Sequence, residues 1–264
     1  SMPMLRYSIS ILLLIGFTLV FCQSGPIDLQ PKDTLSYKQP YGLRAGIDLS
    51  RPALSFFNSD YTGLEIVADY RLTEVLYLAG EIGNEKKTQQ EELANLTIAN
   101  STPLYNYTTS GSYIKLGVDY NTYENWYGMN NSIFIGGRYA FSTFSQTLND
   151  SFIYESNRYW NPGQFADGSL NNAEFSGLSA SWLEFLVGIK TELFANIYLG
   201  ASVRLGFLVS NTEDSAFPNL WIPGFNRVTD GSNFGVGYNY SISYLVPLYR
   251  KAKKPKPTTA ATPQ

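Results

Sequence analysis

The feature that most constrains this chain is a two-residue alternation of apolar and polar side chains, repeated in eight segments of about ten residues with turn-rich stretches between them. The segments are 41–49, 63–71, 75–83, 113–121, 132–145, 181–193, 197–209 and 233–246. In 197–209, for example, Leu199, Ala201, Val203, Leu205 and Phe207 fall on one face and Gly200, Ser202, Arg204 and Gly206 on the other, as a strand with alternate side chains on opposite faces requires. The connections alternate in length as well. Residues 50–62, 84–112, 146–180 and 210–232 make long ones, and 72–74, 122–131 and 194–196 short ones. Together these patterns predict an all-β fold, an eight-stranded antiparallel transmembrane β-barrel with long extracellular loops and short periplasmic turns.

A soluble sandwich or a lipocalin-like barrel also alternates, so the character of the polar face decides between them. Here that face is rich in Gly, Ala and Ser with few Lys or Glu per strand, the composition of a crowded interior and not of a solvated exterior. Its charges are Arg44, Arg71, Lys115, Arg138, Lys190 and Arg204 against Asp48, Glu65, Asp69, Glu81, Asp119, Glu184 and Glu192. Eight strands enclose just enough room for their own side chains, and buried charges need partners. The near-balance therefore predicts a closed lumen filled by an interlocked charge network. Glycines such as Gly235, Gly237 and the Gly136-Gly137 pair are expected to ease packing within it.

The ends of the chain read differently from its middle. Residues 1–24 have the pattern of a signal peptide, with Arg6 before a nearly wholly apolar run at 9–20 and small or polar residues after it. The one cysteine, Cys22, also admits a lipidated thiol, although Phe21 stands where lipoprotein signals carry a small residue. Residues 25–40 form a polar periplasmic lead, 41–249 the outer-membrane barrel, and 250–264 a disordered basic periplasmic tail carrying Arg250, Lys251, Lys253, Lys254 and Lys256. Twenty Tyr residues suit an interfacial girdle. No internal stretch approaches the roughly 20 apolar residues of a transmembrane helix.

Several function classes lose their material. The chain has no histidine, which removes the usual base of a serine or cysteine triad and the commonest zinc ligand. A carboxylate pair drawn from Glu65, Asp69 and Glu81 is already explained by the lumen counter-ions. No enzyme activity, catalytic residue, cofactor or metal site is expected. A net charge of -3 with 16% charged residues argues against nucleic acid as a partner. The outer connections are aromatic and amide-rich at 154–165 (YESNRYWNPGQF) and 217–226 (FPNLWIPGFN). Tyr159, Trp160, Phe165, Phe217, Trp221 and Phe225 either form a partner surface or fold down as a lid.

Four stretches, Gly111 to Asn121 (GSYIKLGVDYN), Glu124-Asn125-Trp126, Arg138 to Leu148 (RYAFSTFSQTL) and Ile222 to Asn226 (IPGFN), resemble an uncharacterised outer-membrane β-barrel family of Bacteroidota, a domain of unknown function. The resemblance spans about 40–249 and implies location and fold without adding a catalytic residue. In that phylum, secretion and barrel-assembly machines recruit extra barrels and surface lipoproteins. The resemblance therefore implies a non-enzymatic accessory or interaction subunit of an outer-membrane assembly or secretion complex, and the long-short alternation of the connections places both termini in the periplasm. Its partners would be outer-membrane lipid and other outer-membrane proteins or surface lipoproteins. The alternative is a small channel or conduit for ions or hydrophobic compounds.

Overall fold

A computed structural model describes residues 38–93, 102–123, 130–151, 173–194, 196–214, 217–228 and 232–252. Eight long strands pair antiparallel: β1 (Lys38–Asp48), β2 (Tyr61–Arg71), β3 (Leu76–Leu93), β4 (Thr102–Asn121), β5 (Ser132–Ser151), β6 (Ala173–Phe194), β7 (Ile197–Thr212) and β10 (Phe234–Ala252). Pairing of β1 with β10 closes the ring. Between β1 and β2 lies helix α1 (Ser50–Phe57), and between β7 and β10 a hairpin of β8 (Trp221–Ile222) and β9 (Asn226–Arg227) whose strands pair with each other. No helix among the described residues is long and apolar enough to cross a membrane.

Register fixes the shape of the ring. A row from Phe234 through Phe207, Leu183, Tyr139, Leu116, Gly80, Ala68 and Ala45 returns to β10 at Tyr244, ten residues further on. Eight strands with that stagger tilt by roughly 40° and leave an interior that side chains can fill.

The polarity is the reverse of a soluble protein's. On β7, Leu205 is 46% exposed while its neighbour Arg204 is 8% exposed, and the same inversion runs round the ring through Leu43, Ile66, Leu78, Leu116, Ile135, Val187 and Val236 on the outside. On three adjacent strands the apolar surface ends in register. Ile82, Ile114 and Phe141 are paired neighbours, and the next outward row is Asn84, Ser112 and Thr143, with Ser179 beyond it on β6.

Several expected boundaries shift. Residues 84–112 and 146–180 are not simply loops, because β3 runs on to Leu93, β4 starts at Thr102, β5 reaches Ser151 and β6 starts at Ala173. Above the row of Ile82 the outward side chains turn polar, on β3 on both faces, so the alternation fades although the backbone ladder continues. At the other end β1 begins inside the expected lead and pairs Lys38 with Ala252. Arg250 and Lys251 thus belong to β10 rather than to a tail, and Lys251 Nζ lies 5.1 Å from the Tyr41 ring centre. The remaining tail residues Lys253, Lys254 and Lys256, like the signal-peptide segment with Cys22, lie outside the described residues.

Candidate functional site

The lumen is the place where sequence, packing and charge converge. Its lower half, toward the short turns, is filled by an alternating series of charges contributed by β1 to β7. Lys115 contacts Glu184 at 2.8 Å, Glu184 contacts Arg204 at 3.4 Å, and Arg204 pairs with Glu81 through both terminal nitrogens. Glu81 lies 3.5 Å from Arg138, which holds Asp119 at 2.7 Å. Lys190 bridges Asp119 at 3.5 Å and Asp69 at 2.7 Å, and Asp69 ends the series on Arg44 at 2.8 Å. Five cations thus alternate with four anions, each cation touching the next carboxylate. A buried ion must be paired and hydrogen-bonded to be tolerated; a series in which most members have two opposite neighbours meets that demand. Aromatic rings floor it, with Arg44 Cζ 4.7 Å from the Tyr198 ring centre and Arg71 Cζ 4.5 Å from that of Tyr41.

The upper half joins strand residues to a loop helix. Arg51, on α1, reaches into the mouth to Glu85 at 2.9 Å, Asp48 at 3.6 Å and Glu65 at 3.9 Å. Burial alone would lower the guanidinium's pKa, but the surrounding Glu85, Tyr113 and Glu65 outweigh it and hold Arg51 well above its ordinary value. Burial, with the Glu85 carboxylate nearby, pushes the Tyr61 phenol up. The Tyr113 hydroxyl donates to Glu65 at 2.5 Å, and Asn239 Nδ2 donates to the other Glu65 oxygen at 3.0 Å.

Over this cluster the β8–β9 hairpin enters as a stopper. Phe217 is 8% exposed, Trp221 1% and Phe225 4%, so of the two expected arrangements these residues take the inward-folded one and not a partner surface. Phe225 joins Tyr113, Phe144, Trp182 and Ile222 in one apolar cluster, while Trp221 and Phe217 join Tyr61, Tyr107 and Leu148 in another. Glycine makes the seat possible. Phe225 lies where side chains on Gly206 and Gly235 would stand, a Cβ there meeting its ring at 2.8 and 2.9 Å. Gly224, at φ +82°, turns the hairpin and donates its N–H to Glu85 Oε2 at 3.0 Å.

Space along the axis is correspondingly small. Among the described residues it holds cavities of about 30 Å³ beside Arg44, Glu81 and Arg138, about 20 Å³ near Arg71 and Tyr198, and about 10 Å³ under Phe225. Each is the size of one or two waters.

Of the thirteen charges expected in the lumen, eleven meet there. Arg71 instead sits at the lower rim, donating to Gln39 Oε1 at 2.6 Å and to the carbonyls of Thr73, Glu74 and Pro40. Glu192 lies at the β6–β7 turn, accepting from Asn130 Nδ2 and from the Asn196 backbone N–H. Two members escape the sequence pattern, Arg51 and Glu85, since both fall in stretches expected to be loop. Tyr159, Trp160 and Phe165 lie outside the described residues. No group of three or more His, Cys, Asp or Glu among the described residues could hold a metal ion.

A family model described as Domain of unknown function (DUF6048) matches residues 4–251. The chain belongs to this family. Among curated proteins none matches. In a search of solved structures, this DUF6048 member is similar to the crystal structure of Acinetobacter baumannii CarO, with 11% identity and a TM-score of 0.35 over 78% of this chain and 98% of that one.

Proposed function

We propose that this protein is an integral outer-membrane β-barrel, closed to solutes in the conformation described, with both termini on the periplasmic side. The observation that carries the proposal is the inverted polarity: a closed sheet whose outer face is apolar on all eight strands and whose inner face is charged. Such a surface is unfavourable in water and suits hydrocarbon, where a closed sheet leaves no backbone group unpaired. From Leu199 to Val209 the exposed apolar residues of β7 cover roughly 25 Å along the barrel axis at a 3.3 Å rise and about 40° tilt, the height of an outer-membrane apolar band.

With its lumen occupied, the barrel has its outer loops and wall left for contact with other molecules. Its role is that of a non-enzymatic accessory or interaction subunit among outer-membrane proteins or surface lipoproteins. Reconstituted in planar bilayers, the protein is expected to be electrically silent, and stepwise conductance would overturn the closed lumen. Purification in mild detergent is expected to recover stoichiometric partners; a lone monomer in every detergent tried would overturn the subunit role.

A gated conduit is the second possibility. It is favoured by one observation, that β8 and β9 pair with each other and with neither wall strand. Replacing 220–228 by Gly and Ser is expected to leave the bilayer silent because the charge series below remains. Conductance appearing only in that variant would favour the conduit.

A further inference from the structure

We propose that α1 is an interfacial anchor that inserts Phe56 and Phe57 into the outer leaflet at the margin of the hydrocarbon, an inference that rests on the membrane assignment above. These two rings are 85% and 83% exposed, more than any other large apolar side chain among the described residues. They lie edge to face with centroids 5.3 Å apart. Scattered exposed apolar residues need no explanation, but an adjoining pair this bare on a soluble surface does.

The orientation of α1 is set by its opposite side. Arg51 points into the mouth and is held by Glu85 at 2.9 Å. The Ser55 hydroxyl accepts from the Gly63 N–H at 2.9 Å, and Asn58 accepts from the Tyr61 N–H on its backbone oxygen at 3.2 Å. The helix is thereby tied to the first residues of β2 with Arg51 inward and its phenylalanines away from the lumen. It cannot roll to hide them without taking a buried guanidinium from its carboxylates.

The neighbourhood identifies the occupant. On one side Leu49, between β1 and α1, is 42% exposed, and on the other Leu64 is 50% exposed near the start of β2. The helix that carries the two rings is thus flanked by exposed apolar residues of the sheet, through the chain at Leu49 and through the Ser55–Gly63 hydrogen bond beside Leu64. Leu64 pairs with Asn84, the residue just past the end of the belt on β3, so α1 stands at its upper margin. An exposed apolar helix face at the margin of a hydrocarbon-facing surface fits the acyl and headgroup boundary, where amphipathic helices bury Phe and Leu by roughly 5–10 Å. A protein partner would not require the helix to stand at the belt's margin.

The test uses the full chain carrying Cys22→Ser with a nitroxide on Phe57→Cys, and separately on Ile66→Cys and Asn84→Cys, in vesicles of dioleoylphosphatidylcholine and dioleoylphosphatidylglycerol. Heat-modifiable electrophoretic mobility reports that the barrel has formed, and Phe56→Cys replaces Phe57→Cys if that variant fails it. The expected ratio of oxygen accessibility to water-soluble nickel-complex accessibility is above one at 57 and 66 and below one at 84. A ratio below one at 57 with 66 still above one overturns the anchor alone. A label at 57 shielded from both reagents also overturns it, since the site is then covered by protein. Ratios below one at both 57 and 66 overturn the membrane assignment itself.

Discussion

Replacing Gly224 by alanine tests whether the β8–β9 hairpin is seated as described. The added Cβ would stand 2.6 Å from Tyr113 Cγ and 2.8 Å from both Cδ atoms. The ring has little freedom to retreat, because its hydroxyl is tied to Glu65 at 2.5 Å. Overpacking of this kind costs about 1–3 kcal/mol, and a non-glycine residue at φ +82° adds about 1–2 kcal/mol. Both terms vanish when the hairpin leaves its seat, since neither the ring nor the backbone geometry then constrains it. A total of about 2–5 kcal/mol shifts the docked-to-undocked ratio by roughly 30-fold to 4,000-fold toward undocking. Hydrogen exchange followed by mass spectrometry reads this directly. Peptides covering 217–228, which include the Phe225 N–H bonded to Ile222 and the Val228 N–H bonded to Leu220, are expected to lose protection while β7 and β10 keep theirs. Gly177→Ala is the control: Gly177 also has a positive φ, +74°, but a Cβ there meets open space, so the hairpin should not respond. Undiminished protection of 217–228 in a correctly formed Gly224→Ala barrel would refute the seat on Tyr113.

Two further predictions concern the buried charges. Lys115→Met leaves Glu184 with Trp182 Nε1 at 2.8 Å and Arg204 at 3.4 Å, so the loss should sit near the low end for a broken buried pair, about 3 kcal/mol. Adding Glu184→Gln should cost less than the two single changes summed, by about 0.5 kcal/mol or more; strict additivity in urea titrations of the micellar protein would show that the pair is not coupled. Tyr61 carries a pH dependence. Its folded-state pKa lies above the ordinary 10.0, so the fold holds the phenolic proton more tightly than the unfolded chain does. That contribution is intact below pH 10 and declines as the pH rises past it. The alkaline loss of stability should therefore be shallower in Tyr61→Phe, and an unchanged slope would count against the burial of the phenol.

The closed eight-stranded sheet was legible in the sequence because lumen and belt demand opposite chemistry, and period-two alternation records that demand wherever both act. It fails at Glu85 for a physical reason. Beyond Ile82 the outward partners become Asn84, Lys86 and Thr88, so β3 has two polar faces there and nothing in the pattern separates strand from loop. Arg51 lies on a helical loop, where strand alternation does not apply. The hairpin's destination is a tertiary fact, yet a trace of it existed. Gly206, Gly235 and Gly237 leave the upper inward face of β7 and β10 without bulk, and an apolar loop between two such strands has a space to fill. Matching Phe217, Trp221 and Phe225 to that vacancy would have decided between the two readings in favour of the lid.

Glu85 has one more consequence. Its two oxygens are shared between Arg51, from the loop after β1, and the Gly224 N–H, from the loop after β7. One carboxylate is the keystone of an arch whose two limbs are far apart in the chain. Neither limb can be swapped, shortened or redesigned by itself without loosening the other. Loop grafting onto this scaffold should therefore replace the two limbs of the arch together and not one at a time. In natural variants, changes at 51 and at 222–226 should travel together.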